Sequence, residues 1–223
     1  MVLLKNDKQI LPLRKSGTIA VIGPLADSRK DMIGTWAFNG GDKVSSVVDG
    51  LKNIGGSPVN VLYARGCELT DNPMLAKNDA PFAMPGQKQK SEPVISPEQL
   101  LKEALQTADK ADVIVAVLGE SSFWSGEASS MSDIGLQKVQ QNLLKSLLAT
   151  GKPVVLVLIN GRPMTLGWEN SNVSAILEAW DIDRKTHTES VNAMAGDNPE
   201  PRAVTEVIGT EAADIASNWA KSR

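Results

Sequence analysis

Short apolar runs rich in β-branched residues recur along this chain, and they constrain its fold more than any other feature. Five of them are predicted to be strands, at residues 18–22, 59–63, 112–118, 154–159 and 173–177. They are apolar at consecutive positions instead of at alternate ones, which is typical of strands buried on both faces. Such strands occur in parallel sheets that carry helices on each side.

Helices are predicted between several of these strands. Residues 96–108 begin with a serine N-cap and a proline at the first helical position, and they lead directly into the third strand. Residues 136–149 place four leucines and a valine on one face, and Gly151 ends this helix. A third helix is predicted over 44–54. The alternation predicts an α/β protein with a mostly parallel sheet flanked by helices, an α/β sandwich with right-handed crossovers.

Composition excludes several classes of function. The chain has 223 residues and a formal net charge of -3, with 42% hydrophobic residues, so it is predicted to fold around a substantial core. Because lysine and arginine are scattered, we expect neither nucleic acid nor a membrane as a partner. A single cysteine, Cys67, and a single histidine, His187, do not supply the ligands of a zinc site. No cofactor or metal is expected, and the sequence does not indicate a cellular compartment.

The segment after the third predicted strand is best suited to chemistry, because ligands of open parallel sheets bind at the carboxyl ends of strands. Residues 119–133 read GESSFWSGEASSMSD. The segment holds three carboxylates and two aromatic rings: Glu120, Glu127, Asp133, Phe123 and Trp124. A carboxylic acid can protonate a glycosidic oxygen, and an indole can stack on a sugar ring. On the pattern alone, a purely structural loop is the more common interpretation.

Seven segments taken together resemble one known family. In chain order they read MVLLKND, ILPL, TIAVIGPLAD, DVIVAVLGE, GEASSMSDI, TGKPVVLVLINGRPM and AILEAW. They are similar to the C-terminal α/β sandwich domain of glycoside hydrolase family 3, the β-glucosidase and β-xylosidase type, over roughly residues 1–180. The resemblance implies an interdomain linker segment at 1–13, the sandwich domain at 14–180 and a divergent or truncated tail at 181–223.

The resemblance implies hydrolysis of terminal β-linked glycosides by a retaining mechanism that uses two carboxyl groups. In the family, a TIM-like barrel domain supplies the aspartate nucleophile and most sugar contacts, and the sandwich domain supplies the acid/base. The glutamate that matches the acid/base is Glu127, in the sequence GEASS. It would first protonate the leaving group and then activate water.

The other candidate residues receive supporting roles. Trp124 and Phe123 are predicted to bind the substrate, although packing is an equal alternative for Trp124. Glu120 and Asp133 are predicted either to stabilise the loop or to contact the residues that bind the substrate, without touching the substrate themselves. Arg162, in the NGRP turn after the fourth strand, is predicted to brace the same loop.

The chain also departs from the family pattern. It begins where the barrel would already have ended, so barrel and nucleophile are expected to be absent and the isolated chain to be inactive. Met131 stands where the family commonly has arginine, and beyond Trp180 the family's glycine-rich turn is missing. The alternatives are therefore a non-catalytic carbohydrate-binding or interaction module, or a truncated remnant. A flavodoxin-like nucleotide binder fits the strand order but not the loop sequences.

Overall fold

The computed structural model describes residues 2–32, 44–55, 58–77, 95–127 and 129–179, without the side chains of residues 54 and 55. These residues form one six-stranded sheet in the order β1-β6-β5-β4-β2-β3. The strands are β1 (Val2–Asn6), β2 (Gly17–Ile22), β3 (Val59–Ala64), β4 (Val113–Gly119), β5 (Val154–Ile159) and β6 (Ala175–Glu178). The α-helices are α1 (Val47–Gly55), α2 (Pro73–Lys77), α3 (Pro97–Asp109), α4 (Lys138–Leu148) and α5 (Gly167–Asn172).

The sheet is parallel except at one edge. Strands β2 to β6 pair in parallel with their neighbours, and β1 pairs antiparallel with β6. Helices flank this sheet, which confirms the predicted α/β class. Strand β1 is not predicted from the sequence, because it is a half-exposed run whose pairing partner, β6, lies far along the chain.

Two apolar clusters, one on each face of the sheet, explain the continuous apolar runs. In β4, Val115 and Val117 join the cluster that contains α1, whereas Ile114 and Leu118 join the cluster that contains α3 and α4. Every residue of β5 is buried. Since side chains alternate between the two faces of a strand, a strand covered on both faces must be apolar at every position.

Local hydrogen bonds set the ends of the helices. Ser96 Oγ accepts from Gln99 N at 3.2 Å and begins α3, as its sequence predicted. Helix α1 begins at Val47, later than the predicted residue 44, and Ser46 Oγ accepts from Asp49 N at 3.1 Å at its start. Strand β6 likewise begins after residue 173, since Val173 N donates to Glu169 O and closes α5.

Some predictions fall outside the described residues. These are the tail at 181–223 with His187, and Trp180 at its start. Within the part of the chain that the structure describes, no helix has the length and apolar character needed to cross a membrane.

Candidate functional site

The candidate site lies where β4 and β5 end, at the carboxyl edge of the sheet. Strand β4 ends at Gly119, whose φ of 139° turns the chain tightly over β5. Glu120 N then donates to Ile159 O at 2.8 Å. A short 3-10 helix, Ser122–Trp124, follows. The segment that carries Glu127 therefore leaves the sheet directly above the end of β5.

Gln140 on α4 holds the last residue of β4 in place. Its Oε1 accepts from Gly119 N at 2.8 Å, and its Nε2 donates to Gly119 O at 2.8 Å and to Leu69 O at 2.7 Å. The side chain is fully buried. The sequence analysis missed this residue, although it lies three, four and seven positions before the buried leucines of α4 and so shares their face.

Glu120 forms a buried ion pair across the two strand ends. Arg162 Nε lies 2.9 Å from Glu120 Oε2, and Glu120 is only 2% exposed. Burial raises the pKa of Glu120, and Arg162 acts in the opposite direction through its charge and its hydrogen bond. Asn160 Nδ2 donates to Arg162 O at 2.6 Å and holds the turn that carries the arginine. Two of the three predicted supporting residues, Glu120 and Arg162, are thus in direct contact with each other.

Asp31 is a second buried carboxylate at this edge, and the sequence analysis did not single it out. It lies on the 3-10 helix Lys30–Met32 after β2 and is 1% exposed. Its Oδ1 accepts from Ser121 Oγ at 3.1 Å and from Ser122 N at 3.0 Å. No local sequence pattern predicts these contacts, because Ser121 and Ser122 lie 90 and 91 positions after Asp31.

The two aromatic residues of the loop differ in exposure. Trp124 is 3% exposed, and its Nε1 donates to Leu75 O at 3.2 Å, so the indole lies inside the protein. Phe123 is half-buried. The prediction that these rings bind a sugar stays a prediction for both.

The remaining two carboxylates of the loop lie on the surface. Glu127 is exposed in a turn after Gly126, whose φ is 111°. Asp133 is also exposed, and its Oδ1 accepts from Gly135 N at 3.0 Å. Met131, at the position where the family commonly has arginine, is half-buried. The loop thus presents Glu127 to solvent while its first residues are held inside the protein.

This arrangement is suited to proton transfer. One exposed carboxyl group, Glu127, follows a segment anchored at Glu120, at the two serines bound by Asp31, and at Trp124. Among the described residues, no group of three or more His, Cys, Asp or Glu side chains could hold a metal ion.

Comparisons with known proteins place this chain in a family. Residues 1–209 match the family model described as the glycosyl hydrolase family 3 C-terminal domain. The chain is 40% identical over 216 residues to the periplasmic beta-glucosidase of Salmonella typhimurium, covering 93% of this chain and 28% of that protein. It is 33% identical over 207 residues to a beta-xylosidase of Formosa agariphila, covering 89% of this chain and 25% of that protein.

Solved structures show the same similarity. The beta-glucosidase of Listeria innocua in complex with glucose superposes with a TM-score of 0.66 and 27% identity, over 93% of this chain and 23% of that one. A beta-glucosidase involved in saponin metabolism from intestinal bacteria superposes with a TM-score of 0.65 and 26% identity, over 93% of this chain and 29% of that one. The chain spans about a quarter of the length of the curated relatives it matches.

Proposed function

Because this chain belongs to the glycosyl hydrolase family 3 C-terminal domain family, we propose that it supplies the acid/base of a β-glycoside hydrolase, and that this acid/base is Glu127. The family predicted from seven sequence segments is confirmed by the match over residues 1–209. The activity, the substrate and the role of Glu127 are the proposal. The relatives are named as beta-glucosidases and a beta-xylosidase, which favours a terminal β-linked glucoside or xyloside as substrate.

The exposure of Glu127 is the observation that carries this proposal. Of the three carboxylates in the loop, Glu120 is buried against Arg162, and Asp133 accepts a hydrogen bond within its own turn. Glu127 is exposed and follows the anchored segment. A general acid must approach the glycosidic oxygen to hydrogen-bond distance, which an exposed carboxyl group on a well-held loop can do.

The proposed reaction has two steps. In the first, Glu127 donates its proton to the glycosidic oxygen as the bond to the anomeric carbon breaks, and a second carboxylate attacks that carbon to form a covalent glycosyl intermediate. In the second, the Glu127 carboxylate takes a proton from water as the water oxygen attacks the anomeric carbon. The nucleophile departs as a free carboxylate, and the sugar leaves with its original configuration.

The second carboxylate is assigned to another domain. Retaining glycosidases place the two carboxyl groups about 5–5.5 Å apart. The resemblance implies that the nucleophile is an aspartate on a TIM-like barrel, and the relatives are about four times as long as the matched segment. We therefore place the active centre between the Glu127 loop and a barrel domain.

The aromatic rings contribute differently in this proposal. Phe123 is half-buried four residues before Glu127 and is the ring available for contact with the sugar. The burial of Trp124 and its hydrogen bond to Leu75 favour the packing alternative for the indole. Its contribution is then to hold the loop that presents Glu127.

The test joins the chain to the barrel domain of a relative. The chain is assayed alone, and also grafted in place of the matching segment of the Salmonella typhimurium enzyme, with phenyl and 2,4-dinitrophenyl β-glucosides and β-xylosides. We expect no turnover by the chain alone and measurable turnover by the graft. In the graft, Glu127→Gln should lower kcat/KM for the phenyl glycoside by about 10²-fold or more, because phenolate needs protonation to depart.

The leaving group provides the internal control. Dinitrophenolate departs without protonation, so its kcat/KM should change far less in Glu127→Gln than that of the phenyl glycoside. Asp133→Asn is the matched control, because Asp133 is the other exposed carboxylate of the loop, and it should leave both values close to those of the unmodified graft. An active graft that is insensitive to Glu127→Gln would rule out the assignment. A graft without turnover would favour a non-catalytic module.

A further inference from the structure

Asp31 connects the segment after β2 to the base of the loop that carries Glu127. One of its carboxylate oxygens, Oδ1, accepts hydrogen bonds from Ser121 Oγ and from Ser122 N. The other, Oδ2, accepts from Ser28 Oγ at 2.6 Å. Burial of a carboxylate is costly unless hydrogen bonds compensate it, and these three bonds supply that compensation.

The carboxylate of Asp31 is itself held in a defined orientation. Ser28 Oγ donates to Asp31 Oδ2 and also accepts from Asp31 N at 3.3 Å, so Ser28 and Asp31 form a closed local pair. At the other end, Ser121 Oγ accepts from Phe123 N at 3.4 Å and begins the 3-10 helix. Asp31 thus binds Ser121 and Ser122, the two residues that follow Glu120.

We propose that Asp31 is a positioning residue for Glu127, an inference that rests on the proposed function. Glu127 follows Ser122 by five positions, and the remainder of the short 3-10 helix Ser122–Trp124 is separated from it only by Ser125 and Gly126. The placement of its carboxyl group therefore depends on how firmly the base of the loop is held. Displacement of a reacting group by about 1 Å can cost on the order of 10²-fold in rate. Asp31 acts through the loop and does not itself contact the substrate.

The first experiment measures amide hydrogen exchange in the full chain for Asp31→Asn and Asp31→Ala. Asp31→Asn keeps the shape of the side chain and one oxygen that can accept hydrogen bonds. It provides a second variant in case Asp31→Ala does not fold. The matched control is Asp49→Asn, because Asp49 on α1 also accepts from a serine, and its hydrogen bonds join it to Ser46 and Arg29. We expect the amide of Ser122 to lose about tenfold or more in protection in Asp31→Ala and less in Asp31→Asn, with β5 unchanged.

The second experiment separates positioning from general stability in the grafted enzyme. A mispositioned acid should lower kcat/KM for phenyl β-glucoside by about tenfold or more, and for 2,4-dinitrophenyl β-glucoside much less. A merely structural role would reduce the amount of folded enzyme and lower both values equally. Asp31→Asn should recover part of the loss seen in Asp31→Ala.

The outcomes distinguish the two proposals. Unchanged exchange at Ser122 overturns the positioning role, and so does an active graft in which the Asp31 variants lower both substrates equally or not at all. A graft without turnover at wild-type Asp31 overturns the proposed function, and the positioning role with it.

Discussion

At the scale of single residues, the carboxyl edge of the sheet is organised by buried polar side chains. Glu120, Gln140 and Asp31 each make contacts to a different part of the chain. A buried charge or amide costs free energy unless it is fully hydrogen-bonded, so each of these side chains restricts its surroundings to one arrangement. Together they hold the segment between β4 and Glu127.

The Glu120–Arg162 pair predicts a pH-dependent stability. We expect Arg162→Met to lower the free energy of unfolding by about 3–5 kcal/mol at pH 8, because it leaves the Glu120 carboxylate buried without its cation. Burial already raises the pKa of Glu120 above its ordinary value of 4.5, and loss of Arg162 raises it further. In the folded variant, Glu120 then binds its proton more tightly than in the unfolded chain. The contribution of protonated Glu120 to stability is therefore fully present below pH 4.5, and it is lost as the pH rises through the folded pKa.

The measurement is urea unfolding of wild type and variant at pH 5 and pH 8. The deficit of Arg162→Met should be smaller at pH 5. Arg29→Met is the control, because Arg29 pairs with Asp49 at 2.8 Å while 55% of its side chain is exposed. This control should cost no more than about 1 kcal/mol at either pH. Equal deficits of Arg162→Met at both pH values would contradict the linkage.

At the scale of elements, the exits of β2 and β4 are built alike. Gly23 directly follows β2 and Gly119 is the last residue of β4, and both have a positive φ, 144° and 139°. A Cβ on Gly23 would lie 2.0 Å from Val117 O, and one on Gly119 would lie 1.9 Å from Ile159 O. The chain therefore passes so close to the adjacent strand that only glycine fits, and this close passage starts the candidate loop.

Gly119→Ala should therefore be strongly destabilising. We expect a loss of more than about 3 kcal/mol in the free energy of unfolding, since both the backbone conformation and the contact with Ile159 are unfavourable for alanine. Gly151→Ala is the matched control, because Gly151 has a φ of 75° with nothing within 4 Å of the added Cβ. It should cost about 1–2 kcal/mol. Similar losses in the two variants, measured by urea unfolding, would refute the steric argument.

At the scale of the whole molecule, the first residues of the chain complete the sheet. Strand β1 covers the outer edge of β6, pairing Val2 with Glu178 and Asn6 with Ala175. Asn6 also exchanges hydrogen bonds with the backbone of Leu11, at 2.9 and 3.0 Å. Residues near the two ends of the described chain are thus paired with each other, and the edge of β6 that faces away from β5 is covered.

Deletion of residues 1–6 should destabilise the domain and promote self-association. Without β1, the backbone groups on the outer edge of β6 lose their partners, while those that pair with β5 keep theirs. We expect a cost of about 2–4 kcal/mol. An unpaired strand edge also attracts other chains. Urea unfolding and size-exclusion chromatography provide the measurements. Leu4→Ser is the control, because Leu4 is 50% exposed and its substitution leaves the strand pairing intact. A deletion variant as stable and monomeric as Leu4→Ser would contradict the role given to β1.

The amino-acid sequence by itself determined the class of fold and, among the described residues, the five parallel strands and the three longest helices. Those features depend on local signals: apolar runs in the strands, periodic leucines in α4 and the cap of α3 by Ser96. It also indicated the family and the loop that holds Glu127, because several segments resemble the family in the right order.

Only the tertiary structure decided which side chains hold that loop. Asp31 and Gln140 carry no local signature of their contacts with the loop, since Ser121 and Gly119 lie 90 and 21 positions away from them. Strand β1 likewise becomes a strand through pairing with β6 at the other end of the domain. Local sequence determines what a segment can form, whereas burial and hydrogen bonding between distant segments decide which polar groups are paired and which carboxylate faces the solvent.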